Sequence, residues 1–139
     1  MPAYDDVEIG TELPPRTYAI TRADLVRYCG ASGDFNVIHW NQRIATAVGL
    51  PDVISHGMMT MAQTGRAVTD WAGDPGAVRS YSVRFSRPVA VADDDAGATL
   101  TVSGTVEDKL AGSRVVLGLI ATVDGSKVLT AAKAVVQLS

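Results

Sequence analysis

The sequence predicts an α+β fold in which one antiparallel sheet curls around a single buried helix. Three observations carry that expectation. Helical patterns come first and strand patterns after, an order that suits α+β rather than repeating βαβ units. The stretch from Gly57 to about Ala72 is apolar over much of its circumference, as an enclosed helix is. The strands after Pro75 are joined by short connections at Ala111-Gly112-Ser113 and Asp124-Gly125-Ser126, so neighbours run antiparallel in a meander.

Thr21 and Asp24 are spaced as a capping box, with Asp where Glu is commoner, and Ile20 and Leu25 as a hydrophobic staple. The helix they open runs from about Arg22 to Tyr28 or Cys29, with Gly30 as its stop. A second helix fits Gln42 to Val48, followed by Gly49 and Pro51. In the long third helix, Met58, Met61, Ala62, Gly65, Val68 and Ala72 recur with a helical period and define its expected buried face. Gly65 costs up to about 1 kcal/mol in a helix interior. Close approach by a sheet or a ligand chain would account for it.

Ser80 to Val91 sets Tyr81, Val83 and Phe85 against Ser82, Arg84 and Ser86. Ala98 to Glu107 alternates in the same way. Arg114 to Val123 is apolar on both faces, which predicts a central strand. Lys127 to Leu138 puts Val128, Ala132, Ala134, Val136 and Leu138 on one face. The acidic run Asp93-Asp94-Asp95 has no flanking ligands and reads as a solvated turn rather than a metal site.

The 139 residues predict one domain, residues 1–139, and 47% hydrophobic with 19% charged residues predicts a folded one. A net charge of -3 gives no basic stripe for nucleic acid. Cys29 stands alone, so no internal disulfide, zinc cluster or redox pair can be built; it reads as a small buried helix residue. The opening Met1-Pro2-Ala3-Tyr4-Asp5-Asp6 is unlike a signal peptide, and no apolar run nears the ~20 residues of a membrane span. A cytoplasmic protein without a membrane partner is the expectation.

The chemistry-bearing residues crowd into Gly33-Asp34-Phe35-Asn36-Val37-Ile38-His39. Asp and His are the usual proton carriers near neutral pH. An offset of five separates them on a helix and puts them on opposite faces of a strand, so Asp34 and His39 meet only if this segment is a loop. From spacing alone, an ordinary Asx turn beside a partly buried histidine remains the alternative. In Ser55-His56-Gly57-Met58, the N–H groups at a helix start attract negative charge, and Gly57 admits close approach. Plain capping by Ser55, with His56 on the surface, is the alternative there.

Tyr28, Gly33, Asp34, Asn36, Ile38, His39 and Ala45 together resemble the signature of the MaoC-like family of hotdog-fold (R)-specific hydratases and dehydratases. That signature has proline after the Asn; this chain has Val37, which leaves the loop less pre-stiffened. Ser55-His56-Gly57-Met58 resembles the family's His-Gly at the head of the hotdog helix. The stretches 71–78 and 81–85 are similar to the actinobacterial (3R)-hydroxyacyl-carrier-protein dehydratases of the family. The resemblance implies a hotdog fold and reversible syn dehydration of (3R)-3-hydroxyacyl thioesters, on acyl carrier protein or CoA, in fatty-acid elongation.

It assigns Asp34 and His39 the proton transfers, without deciding which is acid and which base. Asn36 falls to orienting the loop or a water, and the backbone N–H of Gly57 to holding an oxyanion. It implies no cofactor and no metal, and a dimer, either with itself or with a second, catalytically silent hotdog subunit. Arg79, Arg84 and Arg87 are candidates for phosphates of CoA or for an acidic carrier, against the alternative of a solvated strand face. An (R)-specific enoyl-CoA hydratase of β-oxidation or polyhydroxyalkanoate supply would use the same residues. Intact Asp34 and His39 argue against a non-catalytic hotdog subunit or acyl-binding module, and a thioesterase is the remaining hotdog chemistry.

Overall fold

The computed structural model describes residues 1–139. Its order is β1 (Glu12–Ile20), α1 (Arg22–Ser32), α2 (Gln42–Ala47), α3 (Gly57–Ala72), β2 (Val78–Phe85), β3 (Ala98–Leu110), β4 (Arg114–Val123) and β5 (Ser126–Gln137). All strand pairs are antiparallel, in the order β1-β3-β4-β5-β2. β4 lies in the middle, as its two apolar faces predict. α3 packs on β1, β2, β3 and β5, so the sheet encloses it. The core is aliphatic: Leu100, Val102, Val106, Val115, Leu117, Ala134 and Val136 from the sheet meet Ala67, Val68 and Ala72 of α3.

The α+β expectation therefore holds, with corrections in its parts. The meander covers only β3, β4 and β5; β2 crosses to pair with β5 at the far edge. β1 precedes the helices, in a region that reads as helical from the sequence. Pro14 and Pro15 hide this strand, because proline cannot complete a ladder. Here it sits on an edge strand, beside a register shift between Leu13 and Arg16. β2 ends at Phe85 rather than Val91. Beyond it Val89 and Val91 stay buried, and the segment pairs instead with the stretch before α3: Ser55 N–H donates to Val89 O at 2.8 Å and Val91 N–H to Val53 O at 2.9 Å.

α1 opens on the expected capping box, with Thr21 and Asp24 exchanging hydrogen bonds. It does not stop at Gly30. It continues to Ser32, and Gly33 closes it in the left-handed conformation with φ 75°.

The face of α3 is also rotated from the expected one. Met58 is 57% exposed, while Met59, Thr60, Thr64, Ala67, Val68 and Ala72 are buried. Two buried threonines are tolerated because their hydroxyls bond within the protein; Thr64 Oγ1 donates to Thr60 O at 2.9 Å. The glycines of α3 mark where aromatic rings of β2 settle. A Cβ on Gly65 would stand 3.1 Å from the Tyr81 ring, and one on Gly57 3.1 Å from Phe85. The visitor at Gly65 is a sheet side chain, and Tyr81 anchors itself there by donating its hydroxyl to Met61 O at 2.8 Å. Burial pushes the Tyr81 pKa up to about 12.

Candidate active site

Gly33 turns the chain out of α1, and a relay of short polar side chains shapes the loop that follows. The Ser32 hydroxyl donates to Tyr28 O at 2.7 Å and accepts from Asp34 N–H at 3.1 Å. Asp34 Oδ1 accepts from Asn36 N–H at 3.1 Å, and Asn36 Oδ1 accepts from Ile38 N–H at 3.3 Å. Asn36 thereby caps the single 3-10 turn Val37–His39. Its side chain is thus part of the hydrogen-bonded frame of the loop. These bonds stiffen the loop without a proline at position 37.

His39 ends that turn with its ring buried. Its Nδ1 lies 2.7 Å from Ile54 O. A carbonyl can only accept, so Nδ1 carries the proton and Nε2 keeps the lone pair. Burial lowers the His39 pKa from its ordinary 6.5, and His56 beside it acts the same way. The Ile54 carbonyl and Asp34 pull upward, and burial outweighs them. His39 is thus a neutral imidazole at neutral pH with a free basic nitrogen. The exposed Asp34 carboxylate, His39 and His56 bring their polar atoms within 4.8 Å of one another.

His56 is not on the surface. It is 2% exposed, and it stacks on His39 with ring centroids 3.7 Å apart and planes 21° apart. Its Nε2 lies 3.0 Å from the backbone carbonyl of Asp34, so Nε2 carries its proton. Each of the two nearly parallel imidazoles has one ring nitrogen committed to a backbone carbonyl, Ile54 O for His39 and Asp34 O for His56.

Nor does Ser55 cap α3. It is buried, and its hydroxyl lies 3.2 Å from His56 O; the N-cap is His56, whose side chain makes no capping bond. The N–H of Gly57 is the first of α3 and has no intrahelical acceptor. A cleft of about 350 Å³ opens there, lined by Ile54, Gly57, Thr60, Phe85 and Arg87 among others. Of the three arginines singled out in the sequence, only Arg87 borders it. The structure therefore brings together Asp34, His39 and the head of α3 at His56. Spacing alone puts His56 on the surface, and only the resemblance to the family's His-Gly marks the position; its burial and its bond to the Asp34 carbonyl have no side-chain signal in the sequence.

Residues 6–124 match the MaoC like domain family. The chain belongs to the MaoC-like domain family. Its similarity to the 3-hydroxyacyl-thioester dehydratase X of Mycobacterium tuberculosis is 42% identity over 101 residues, 66% of this chain and 35% of that protein. Among solved structures, a MaoC-like dehydratase superposes with a TM-score of 0.95 at 40% identity, over 99% of this chain and 42% of that one. The unliganded R-hydratase PhaJ1 of Pseudomonas aeruginosa superposes with a TM-score of 0.84 at 26% identity, over 99% of this chain and 86% of that one. The fold is the hotdog of this MaoC-like family. The chain spans less than half the length of the first two of these proteins. No helix is long and apolar enough to cross a membrane.

Proposed function

We propose that this MaoC-like chain, acting as one hotdog unit, catalyses the reversible dehydration of (3R)-3-hydroxyacyl thioesters to trans-2-enoyl thioesters. The observation that carries the reading is the state of His39: a neutral imidazole with Nε2 available, beside the Asp34 carboxylate and close to the open N-terminus of α3. The relatives named as a 3-hydroxyacyl-thioester dehydratase and an R-hydratase support it.

The chemistry follows from those groups. The C2 proton of a thioester is weakly acidic, so a base needs help from charge stabilisation at the carbonyl. The thioester oxygen sits at Gly57 N–H, where the helix dipole favours the enolate that develops. Nε2 of His39 takes the C2 proton. Asp34, on the same face, receives that proton from His39 and passes it to the C3 hydroxyl as the C3–O bond breaks. The electron pair of the broken C2–H bond becomes the C2=C3 double bond, and water leaves. In the reverse direction, the same pair positions and deprotonates a water for attack at C3. Asn36 serves by shaping the loop. These steps call on no cofactor and no metal.

Arg87 at the rim of the Gly57 cleft is suited to a phosphate of the CoA or carrier arm. The partner is a second hotdog chain, either a copy or a silent subunit that completes the acyl pocket. We assign the chain to fatty-acid elongation in the cytoplasm. The (R)-specific enoyl-CoA hydratase reading shares every residue and is favoured by the similarity to PhaJ1. Turnover of CoA and carrier-protein thioesters across a chain-length series separates the two. A tenfold or greater preference for the carrier-bound substrate supports elongation, and equal use of free CoA esters supports the hydratase. Release of free thiol in place of water addition would identify a thioesterase and contradict both.

A further inference from the structure

Building on the dehydratase reading, we propose that His56 is the positioning residue that holds Asp34 and His39 in register. The turn bonds of Ser32, Asp34 and Asn36 shape the loop internally but do not tie it to α3. His56 does. Standing at the N-cap of α3, it reaches back 22 positions to donate Nε2–H to the Asp34 carbonyl at 3.0 Å. The same ring stacks on His39 at 3.7 Å and lies 4.6 Å from Tyr28. One rigid imidazole therefore fixes the carboxylate-bearing residue through its backbone and the base through its ring. Gly57, the next residue, is fixed by the same helix start.

Its Nδ1 is buried without a partner, so the ring is tied to the protein by the single Nε2–H bond and by its stacking. The titratable groups that face it are Tyr28 and Cys29 from α1, Asp34 from the loop and His39 from the 3-10 turn. Cys29 Sγ stands 3.7 Å from Nε2, and burial pushes that thiol pKa up. Asp34 is the only carboxylate among them, and its hydrogen bond to His56 runs through the backbone carbonyl.

His56→Phe keeps a ring against His39 and loses the donor to Asp34. His56→Gln keeps a donor and loses the ring. With crotonyl-CoA hydration as the assay, the Phe variant loses about 100-fold in kcat and the Gln variant about tenfold, each with KM within about threefold of wild type. In the Gln variant, which uncovers one face of the His39 ring, the His39 pKa, read directly by NMR titration, moves up toward the ordinary histidine value. A residue needed only for folding would lower the melting temperature and the folded fraction, and would leave the kcat of the folded fraction and the His39 titration unmoved. That result would overturn the proposal, as would wild-type kcat in both variants. If the Phe variant does not fold, wild-type kcat with an unmoved His39 titration in the Gln variant decides against it. Failure of the dehydratase reading is separable: wild type would then hydrate no enoyl thioester, while the NMR titration would still report whether His56 governs His39.

Discussion

At the scale of single residues, the proposed chemistry depends on which nitrogen of His39 is bare and on one backbone N–H. Burial holds the His39 pKa below 6.5, so the acid limb of kcat/KM lies below that value. Stability carries the same signature with a definite sign. The unfolded chain binds the His39 proton more readily, so this group's contribution is whole above about pH 6.5 and is lost as the pH falls toward the folded pKa. Urea unfolding between pH 7.5 and 5 measures it. Gly57 allows a second test, because proline is tolerated at the first helical position and His56, with φ -57° and ψ 133°, already has the backbone shape that precedes proline. Gly57→Ala keeps the N–H and adds the contact with Phe85, a half-exposed ring able to give way. Gly57→Pro removes the N–H. The Pro variant loses about 10²–10³-fold in kcat relative to the Ala variant. Equal kcat in the two would remove Gly57 from the mechanism. Asp34 and His39 were legible in the sequence as a pair that needs a loop. His56 was not, because its partner is a backbone carbonyl, which leaves no mark in side-chain identity.

At the scale of elements, local signals were readable wherever one side chain satisfies one backbone group. The capping box of α1 is such a case: Asp24 accepts from Thr21 N–H at 2.9 Å, and that bond leads the lowering of its carboxyl pKa. Thr21→Ala costs about 1 kcal/mol of stability, measured by denaturant titration. The end of α1 was misjudged because Gly30 and Gly33 are both plausible stops, and only the structure shows which takes positive φ. The facing of α3 was misjudged for a different reason. A helix apolar over much of its circumference offers more than one possible buried face, and the deciding contacts come from Tyr81 and Phe85 on β2. Gly65→Leu therefore displaces Tyr81 and breaks its bond to Met61, lowering stability by about 1–3 kcal/mol, the usual cost of overpacking. A melting temperature equal to wild type would contradict that packing. β1 was invisible because two prolines in a nine-residue strand contradict every strand signal except an edge position.

At the scale of the whole molecule, the hotdog puts a loop, a 3-10 turn and a helix start at one end of an enclosed helix. None of the three would hold this geometry alone. A buried helix followed by antiparallel strands was enough to anticipate the enclosure, although β1 precedes the helices. The crossing of β2 to the far edge depends on long-range pairing that no local pattern encodes. The account as a whole rests on Asp34 and His39 moving protons on an acyl thioester. The most direct test follows the loss of enoyl-thioester absorbance when the purified protein, with its co-purifying partner if it has one, is given crotonyl-CoA and longer trans-2-enoyl-CoA esters. Wild type is predicted to add water and yield the (3R)-3-hydroxyacyl product. Asp34→Asn and His39→Ala, folded by circular dichroism, are predicted to fall by about 10²–10⁴-fold. Undiminished hydration in both variants would contradict the account.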